Sequence, residues 1–375
     1  MRFERLLGQE FIKKHLQQSA RTARASHAQL FVGEMGTGLL PMAIAYARAL
    51  ICSVENQEGC DLQFDQLAHP DLHFVFPVAT TTAVKSKPVS SLFLKEWRDF
   101  VQNNAYANLF DWHQHLDIEK KQAQIGVDEA QAISKALSLK SYEGGYKVVI
   151  IWMAEKMNAA CANKLLKLLE EPPEKTVFLL LAQQEDLLID TIRSRCQTLH
   201  FPKLPETVIA NALVQEHNCE SDKAHKIAFR AQGNYNTALR IFQDYGYDTQ
   251  FETWFVDWVR LAFSAKGKKS AVLDLIAWSE TIAKAGRETQ KNFIDYCTHF
   301  FRQAFLLNYK VPKLVYLQPQ TSFKLEKFAP FVHGNNILDI YDELQEASYH
   351  ISRNGNTRII MTDLSLKLTR LLHSK

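Results

Sequence analysis

No run of the sequence approaches the 18 or more apolar residues that a membrane-spanning helix requires. The opening stretch, MRFERLLGQEFIKK, also lacks the apolar core of a secretory signal, so a soluble cytoplasmic protein with no membrane partner is expected. Tracts of Gly, Ser or Pro are missing too. With 46% hydrophobic and 23% charged residues, the composition is that of a folded chain rather than a disordered one. No internal repeat stands out, and 375 residues are too many for one ordinary core, which points to two or three domains. Cysteine is sparse. The six, Cys52, Cys60, Cys161, Cys196, Cys219 and Cys297, are scattered through a long chain, which suits reduced thiols, and bridges are not expected. A strong charge of one sign is absent as well: the net charge is +3, with 17 basic against 12 acidic residues from Phe251 onward and 27 against 29 before it. A basic tail of that size could favour nucleic acid, but a solvated surface on a helical domain explains it equally.

The pattern of elements is clearer. A helix-like stretch from Gln9 to Ala23 leads into the short apolar run Ala28 to Val32, which reads as a buried strand stopped by Gly33. After a glycine-containing loop, Leu39 to Cys52 reads as a helix whose only breaker, Pro41, is tolerated in a first turn. Further strands are predicted at Leu72 to Phe76, Lys147 to Ile151, Thr176 to Leu181 and Thr198 to Phe201. Asn158 to Leu169 reads as a helix closed by Pro172 and Pro173. Alternating strands and helices imply an α/β domain with a parallel sheet. The segment from Ala79 to Gln124 has little clear period and reads as an insertion. After Pro202 the strands stop: Pro205 to about Asp244 reads as a small helical unit. From Phe251 to Lys375 the pattern is helical throughout, with kinks or loops near Pro312, Pro319 and Pro330.

The loop after the first strand, Gly33-Glu34-Met35-Gly36-Thr37-Gly38-Leu39-Leu40, has the glycines of a phosphate-binding loop. Such a loop needs Gly-x-x-x-x-Gly-Lys-Ser/Thr, because backbone amides cradle the phosphates, the lysine neutralises them and the hydroxyl holds magnesium. Here Leu39 and Leu40 replace the lysine and the hydroxyl, so a tight strand-to-helix connection without a ligand is favoured at this site. A nucleotide hydrolase of this class also ends a second apolar strand in carboxylates that organise magnesium and water. The strand ending at Ile151 instead runs into Trp152-Met153-Ala154-Glu155, and Glu155 falls too far along to substitute. Two sites have thus lost complementary parts of one reaction.

The helix Ala159 to Glu170, with Asn163-Lys164 and the closing Glu170-Glu171-Pro172-Pro173, resembles a signature of bacterial sliding-clamp loaders of the AAA+ superfamily. So does Ile192-Arg193-Ser194-Arg195-Cys196, which matches the family's Ser-Arg-Cys motif. Leu7-Gly8-Gln9-Glu10 and the run from His27 to Gly33 are similar to the family as well. The resemblance covers residues 1 to about 201. It implies an AAA+ α/β core at 1–201, a helical lid at 202–245 and an all-α collar domain at 246–375. With the glycine loop and the acidic strand both degenerate, it also implies a member that does not hydrolyse ATP and binds no cofactor.

By residue type alone Arg195 reads as a structural arginine that caps or pairs locally. In clamp loaders the arginine of this motif reaches into the neighbouring subunit's ATP, which fits a permanently charged, fork-shaped donor. Such a finger is typically worth about 10³ to 10⁵ in rate, or roughly 4–7 kcal/mol. Cys196 is expected to be a small buried side chain rather than a nucleophile. The family's four-cysteine zinc module is reduced to Cys52 and Cys60, so no metal is expected, with His69 and His73 read as ordinary surface or core histidines. Asn236, in the run Gly233 to Leu239, stands where the family's lid supplies a nucleotide-sensing arginine. The implied partners are the gamma/tau and delta kinds of loader subunit in a hetero-oligomer, and through the assembly the sliding clamp and primer-template DNA. An active gamma/tau-like ATPase would need a lysine at position 39. An AAA+-derived scaffold without any ATP role would leave Arg195 structural.

Overall fold

The structure, a computed structural model, describes residues 1–374 other than 53–56, 120, 143–144, 244–246, 312–313, 316, 318 and 320. Pro312 and the expected lid boundary at 245 therefore lie outside the described residues. Residues 1–118 with 122–242 form one compact unit, and residues 119–121 with 243–375 form another.

The first unit is built on five parallel strands, β1 Ala28–Val32, β2 Leu72–Val75, β3 Lys147–Trp152, β4 Thr176–Ala182 and β5 Gln197–His200, in the order β2-β3-β4-β1-β5. The three central strands, β1, β3 and β4, are apolar at nearly every position because both faces of the sheet are covered. Alternate residues feed two separate cores. Phe31, Ile150, Trp152 and Leu179 point to the side of α2 (Leu39–Ile51). Leu30, Val149, Ile151 and Leu180 point to the side of α6 (Val127–Ser138) and α7 (Ala159–Glu170). Helices α1 (Glu10–Arg21) and α3 (Gln57–Asp65) complete the first of these layers.

Every expected strand is present to within one residue at either end. The stretch read as a patternless insertion contains two helices, α4 (Leu94–Asn103) and α5 (Leu109–His115), the latter opened by a reciprocal cap between Asn108 and Asp111. They are no appendage: Trp97, Phe100 and Trp112 are buried against Phe76 and Trp152, with Trp97 stacked on Phe76 at 4.1 Å and 5.2 Å from Trp152. The reason is the open end of the sheet beyond β2 and β3, which five short strands leave without cover.

Beyond α8 (Asp190–Arg193) and β5, helices α9 (Glu206–His217), α10 (Ser221–Ala231) and α11 (Tyr235–Phe242) enclose a small core of their own, including Leu204, Leu213, Ile227 and Leu239. They belong to the same compact unit as the sheet.

The second unit is all helical: α12 (Tyr247–Ala265), α13 (Lys269–Ala283), α14 (Arg287–Asn308), α15 (Leu325–Phe328), α16 (Ile337–Ser352) and α17 (Thr357–Leu371). Its core is aromatic, with Trp258 stacked on Trp278 at 5.3 Å and donating its indole N–H to Ser365 Oγ at 2.8 Å. Among the described residues no helix is long and apolar enough to cross a membrane.

One expectation is overturned. Cys52, at the end of α2, and Cys60, in α3, are joined as a disulfide with their Cα atoms 5.6 Å apart. Their spacing in a long chain argued for reduced thiols, but α3 folds back on the end of α2 and brings them within bridging distance.

Candidate functional site: the glycine loop and the arginine turn

The loop between β1 and α2 starts where the N–H of Gly33 bonds the carbonyl of Ala182 on β4, and it turns through Gly36 and Gly38 at φ +97° and +107°. Both angles favour glycine, and Gly38 serves as the N-cap of α2 without a side-chain bond. Leu39 and Leu40 are 1% and 3% exposed, packed into the core on the α2 side of the sheet. A charged lysine in place of Leu39 would have to be buried there.

The chain's own side chains cover the loop. Asn234, just ahead of α11, donates from Nδ2 to the Met35 carbonyl at 2.8 Å and to Glu34 Oε1 at 2.9 Å. Its Oδ1 lies so close over Gly36 that a Cβ there would collide with it. The amide of Tyr235 donates to the Gly36 carbonyl at 3.0 Å. Tyr106 stands over Gly38 with its ring 3.5 Å from where a Cβ would be, and its hydroxyl accepts from the Leu7 amide. Burial pushes the Tyr106 phenol up to about 12, so it is neutral. From the other side Gln9 Nε2 donates to the carbonyls of Thr37 and Pro202. The loop is thus knit to the helical segment after β5 and to the α4–α5 segment.

Trp152 and Met153, where acidic residues would organise magnesium, are both buried, and Trp152 belongs to the aromatic cluster around Trp97. Glu155 accepts from the Gln183 amide at 3.3 Å. Asn236 is buried and does not face the loop. It donates to Asp111 Oδ2 and accepts from Asn104 Nδ2, each at 2.7 Å. Arg240, one turn on, lies over the ring of Phe110 at 5.3 Å.

The arginine turn sits at the other end of the sheet. The β1–β5 ladder begins at the pair Gln29–Gln197, four residues before Gly33, and Arg195 lies ahead of it in the turn after α8. Four residues at about 3.3 Å each put roughly 13 Å along the strands between the start of β5 and the loop, more than an arginine side chain spans. Arg195 is 35% exposed, donates from Nη1 to the Thr191 carbonyl at 2.8 Å and pairs through Nη2 with Glu170 Oε1 at 2.5 Å. Glu170 is the last residue of α7. Cys196 is half-buried rather than buried, and burial pushes its thiol up to about 11, far from a nucleophile at neutral pH. Leu187 and Ile189, just before α8, are exposed.

At the expected remnant of a zinc module, Cys52 and Cys60 are each other's partners, while Asp61, the residue after Cys60, pairs with Arg2 and Arg48. His69 is buried, and its Nδ1 accepts from the Asp71 amide at 3.1 Å. His73 is half-buried in β2, where desolvation lowers its pKa.

Residues 8–205 match the family model described as DNA polymerase III, delta subunit, more than half of the chain. The chain belongs to this family. A subunit delta′ of DNA polymerase III from Bacillus subtilis is 32% identical over 210 residues, covering 55% of this chain and 51% of that protein. The delta′ subunit from Escherichia coli K12 is 34% identical over 125 residues, 33% of this chain and 37% of that protein. The tau subunit from Bacillus subtilis is 27% identical over 246 residues, 64% of this chain and 37% of that protein. The alignments thus span about half the length or less of these curated relatives. The α/β core on a parallel sheet, followed by helices, that the sequence led one to expect is what this family member has.

The sequence pointed to the glycine loop, the β3 end and the Ser194-Arg195-Cys196 turn of this delta-family chain. It did not point to Asn234, Tyr106 or Glu170 as their contacts. Asn234 carries only a helix-capping signal, which it also fulfils by accepting from the Thr237 amide at 3.0 Å. For Tyr106 no signal exists, because it lies in the segment without a pattern.

Proposed function

We propose that the chain is a non-hydrolysing, delta′-like subunit of a sliding-clamp loader that docks beside an ATP-binding subunit and offers Arg195 in trans. The observation that carries this reading is the separation of the two sites. Arg195 stands ahead of the amino end of β5, which is roughly 13 Å along the sheet from the chain's own glycine loop, so in this reading the nucleotide it touches is held by another chain. The loop supports the same reading, since Leu39, Asn234 and Tyr106 take the space and charge position a nucleotide needs. In this reading the chain works in the cytoplasm as part of a hetero-oligomer with gamma/tau and delta kinds of subunit, and reaches clamp and primer-template DNA through them. Residues 1–201 act as the core, 202–245 as a lid locked onto the loop, and 246–375 as the collar. Exposed Leu338, Tyr341, Ile359 and Leu366 on α16 and α17 give that collar apolar surface for neighbours.

The local pair between Arg195 and Glu170 favours a second reading, a scaffold in which the arginine is structural. The pair does not stand in the way of the first reading, because one this exposed is worth about 0–1 kcal/mol and is broken at small cost on docking. In a reconstituted loader, Arg195→Ala should leave assembly intact on gel filtration and lower clamp-dependent ATP hydrolysis. Unchanged hydrolysis and loading would return Arg195 to a structural role.

A further inference from the structure

The second unit contains a cavity of ≈ 630 Å³, within the range of about 300–1,000 Å³ that takes a ligand or an inserted side-chain cluster. Its floor is apolar, formed by Val259, Phe328 and Leu372, and its rim carries Arg260 of α12 with Lys324 and Lys327 at α15. Among the described residues no carboxylate lines it. None of the three cations has an ion-pair partner among the described residues. Elsewhere in the same unit Lys291, Arg358 and Lys367 are each paired with a glutamate. Three unpaired like charges around an apolar hollow repel one another, and they gain most from an anion brought there on an apolar carrier.

Single-stranded nucleic acid also offers anions, but it binds by stacking bases on free ring faces. The rings here each have an aromatic neighbour, while Phe263 and Phe331 keep 43% and 37% of their surface exposed, so oligo-dT is carried as the competitor in the test. Phe263 stacks on His373 at 4.7 Å and meets Phe331 edge to face at 4.8 Å, while Phe323 packs edge to face with Phe300 at 5.8 Å. What remains is an apolar hollow with a cationic rim. We propose that this cavity docks a peptide segment of a partner protein, one that seats a large apolar side chain on Val259, Phe328 and Leu372 and sets flanking carboxylates against Arg260, Lys324 and Lys327. The proposal stands apart from the role of Arg195.

The test is selection of a random dodecapeptide library on the full chain, followed by fluorescence anisotropy with the enriched peptides and with oligo-dT. Enriched peptides should pair Asp or Glu with Phe, Leu or Trp. Their affinity should fall at least 10-fold in the surface variant Arg260→Glu/Lys324→Glu/Lys327→Glu, and in Ser264→Trp, which narrows the mouth of the cavity without touching its floor. Oligo-dT should not displace them. The proposal is overturned if no peptide enriches, if the enriched peptides lack acidic residues, if both variants bind as well as the parent chain, or if oligo-dT displaces the peptides.

Discussion

At the scale of single residues, the glycine loop has Leu39 and Leu40 where a phosphate-binding loop has a lysine and a hydroxyl. Leu39 does more than lack a charge: it is part of the core, so Leu39→Lys buries an ammonium group without a partner. We expect this variant to lose about 2–5 kcal/mol in urea unfolding and still to bind no ATP in equilibrium dialysis, because Asn234 and Tyr106 remain over the loop. ATP binding by the variant would contradict the account of the loop as closed. Gly36 offers a complementary probe. At φ +97° and under Asn234 Oδ1, Gly36→Ala meets both backbone strain and a collision, whereas Gly36→Ala combined with Asn234→Gly meets only the strain and should recover part of the stability. Of this site the lost lysine and hydroxyl were legible from the sequence, as was the arginine turn. The side chains that fill the loop were not, because they arrive from segments some 70 and 200 residues away and carry no motif. Asn236, singled out from the sequence, bonds Asn104 and Asp111, while Asn234 two residues earlier covers the loop.

At the scale of elements, the strands were readable because the central ones are buried on both faces and read as unbroken apolar runs. The helices α4 and α5 were hidden by their shortness and by the Asn-rich connection between them. In the structure Trp97, Phe100 and Val101 are the buried residues of α4, but nothing local in the sequence says that they close the end of the sheet. Trp97→Ala should therefore cost about 3–5 kcal/mol in denaturant unfolding, the range of a buried aromatic rather than of a loop residue. A second coupling ties this segment to α6. Glu129 Oε2 accepts from the buried Ser90 amide at 2.7 Å, and burial raises its carboxyl to about 7. The folded pKa lies above the unfolded value, so the associated stability is complete below about pH 4.5 and is lost as pH rises through about 7. Glu129→Gln should flatten the stability profile between those limits in thermal melts at stepped pH. An unchanged profile would remove Glu129 as its source.

At the scale of the whole molecule, the strands stop at His200, but helices α9–α11 beyond them belong to the same compact unit as the sheet, which runs to Phe242. The disulfide did not follow from the sequence, since residue spacing cannot show that α3 returns to the end of α2. Closing so short a loop should stabilise the first unit by about 2–3 kcal/mol. Reduction with dithiothreitol should lower its melting temperature, and Cys52→Ala/Cys60→Ala should melt at the reduced value with or without reductant. The proposed function rests on placement: the sheet keeps Arg195 at one end and its closed glycine loop at the other. The most direct measurement is single-turnover ATP hydrolysis at that neighbouring site in a reconstituted loader, comparing wild type, Arg195→Lys and Arg195→Ala with added guanidinium. The account predicts that Arg195→Ala lowers the rate by about 10³-fold or more, that lysine restores little of it and that guanidinium restores part. An Arg195→Ala loader that hydrolyses ATP at the wild-type rate would contradict it.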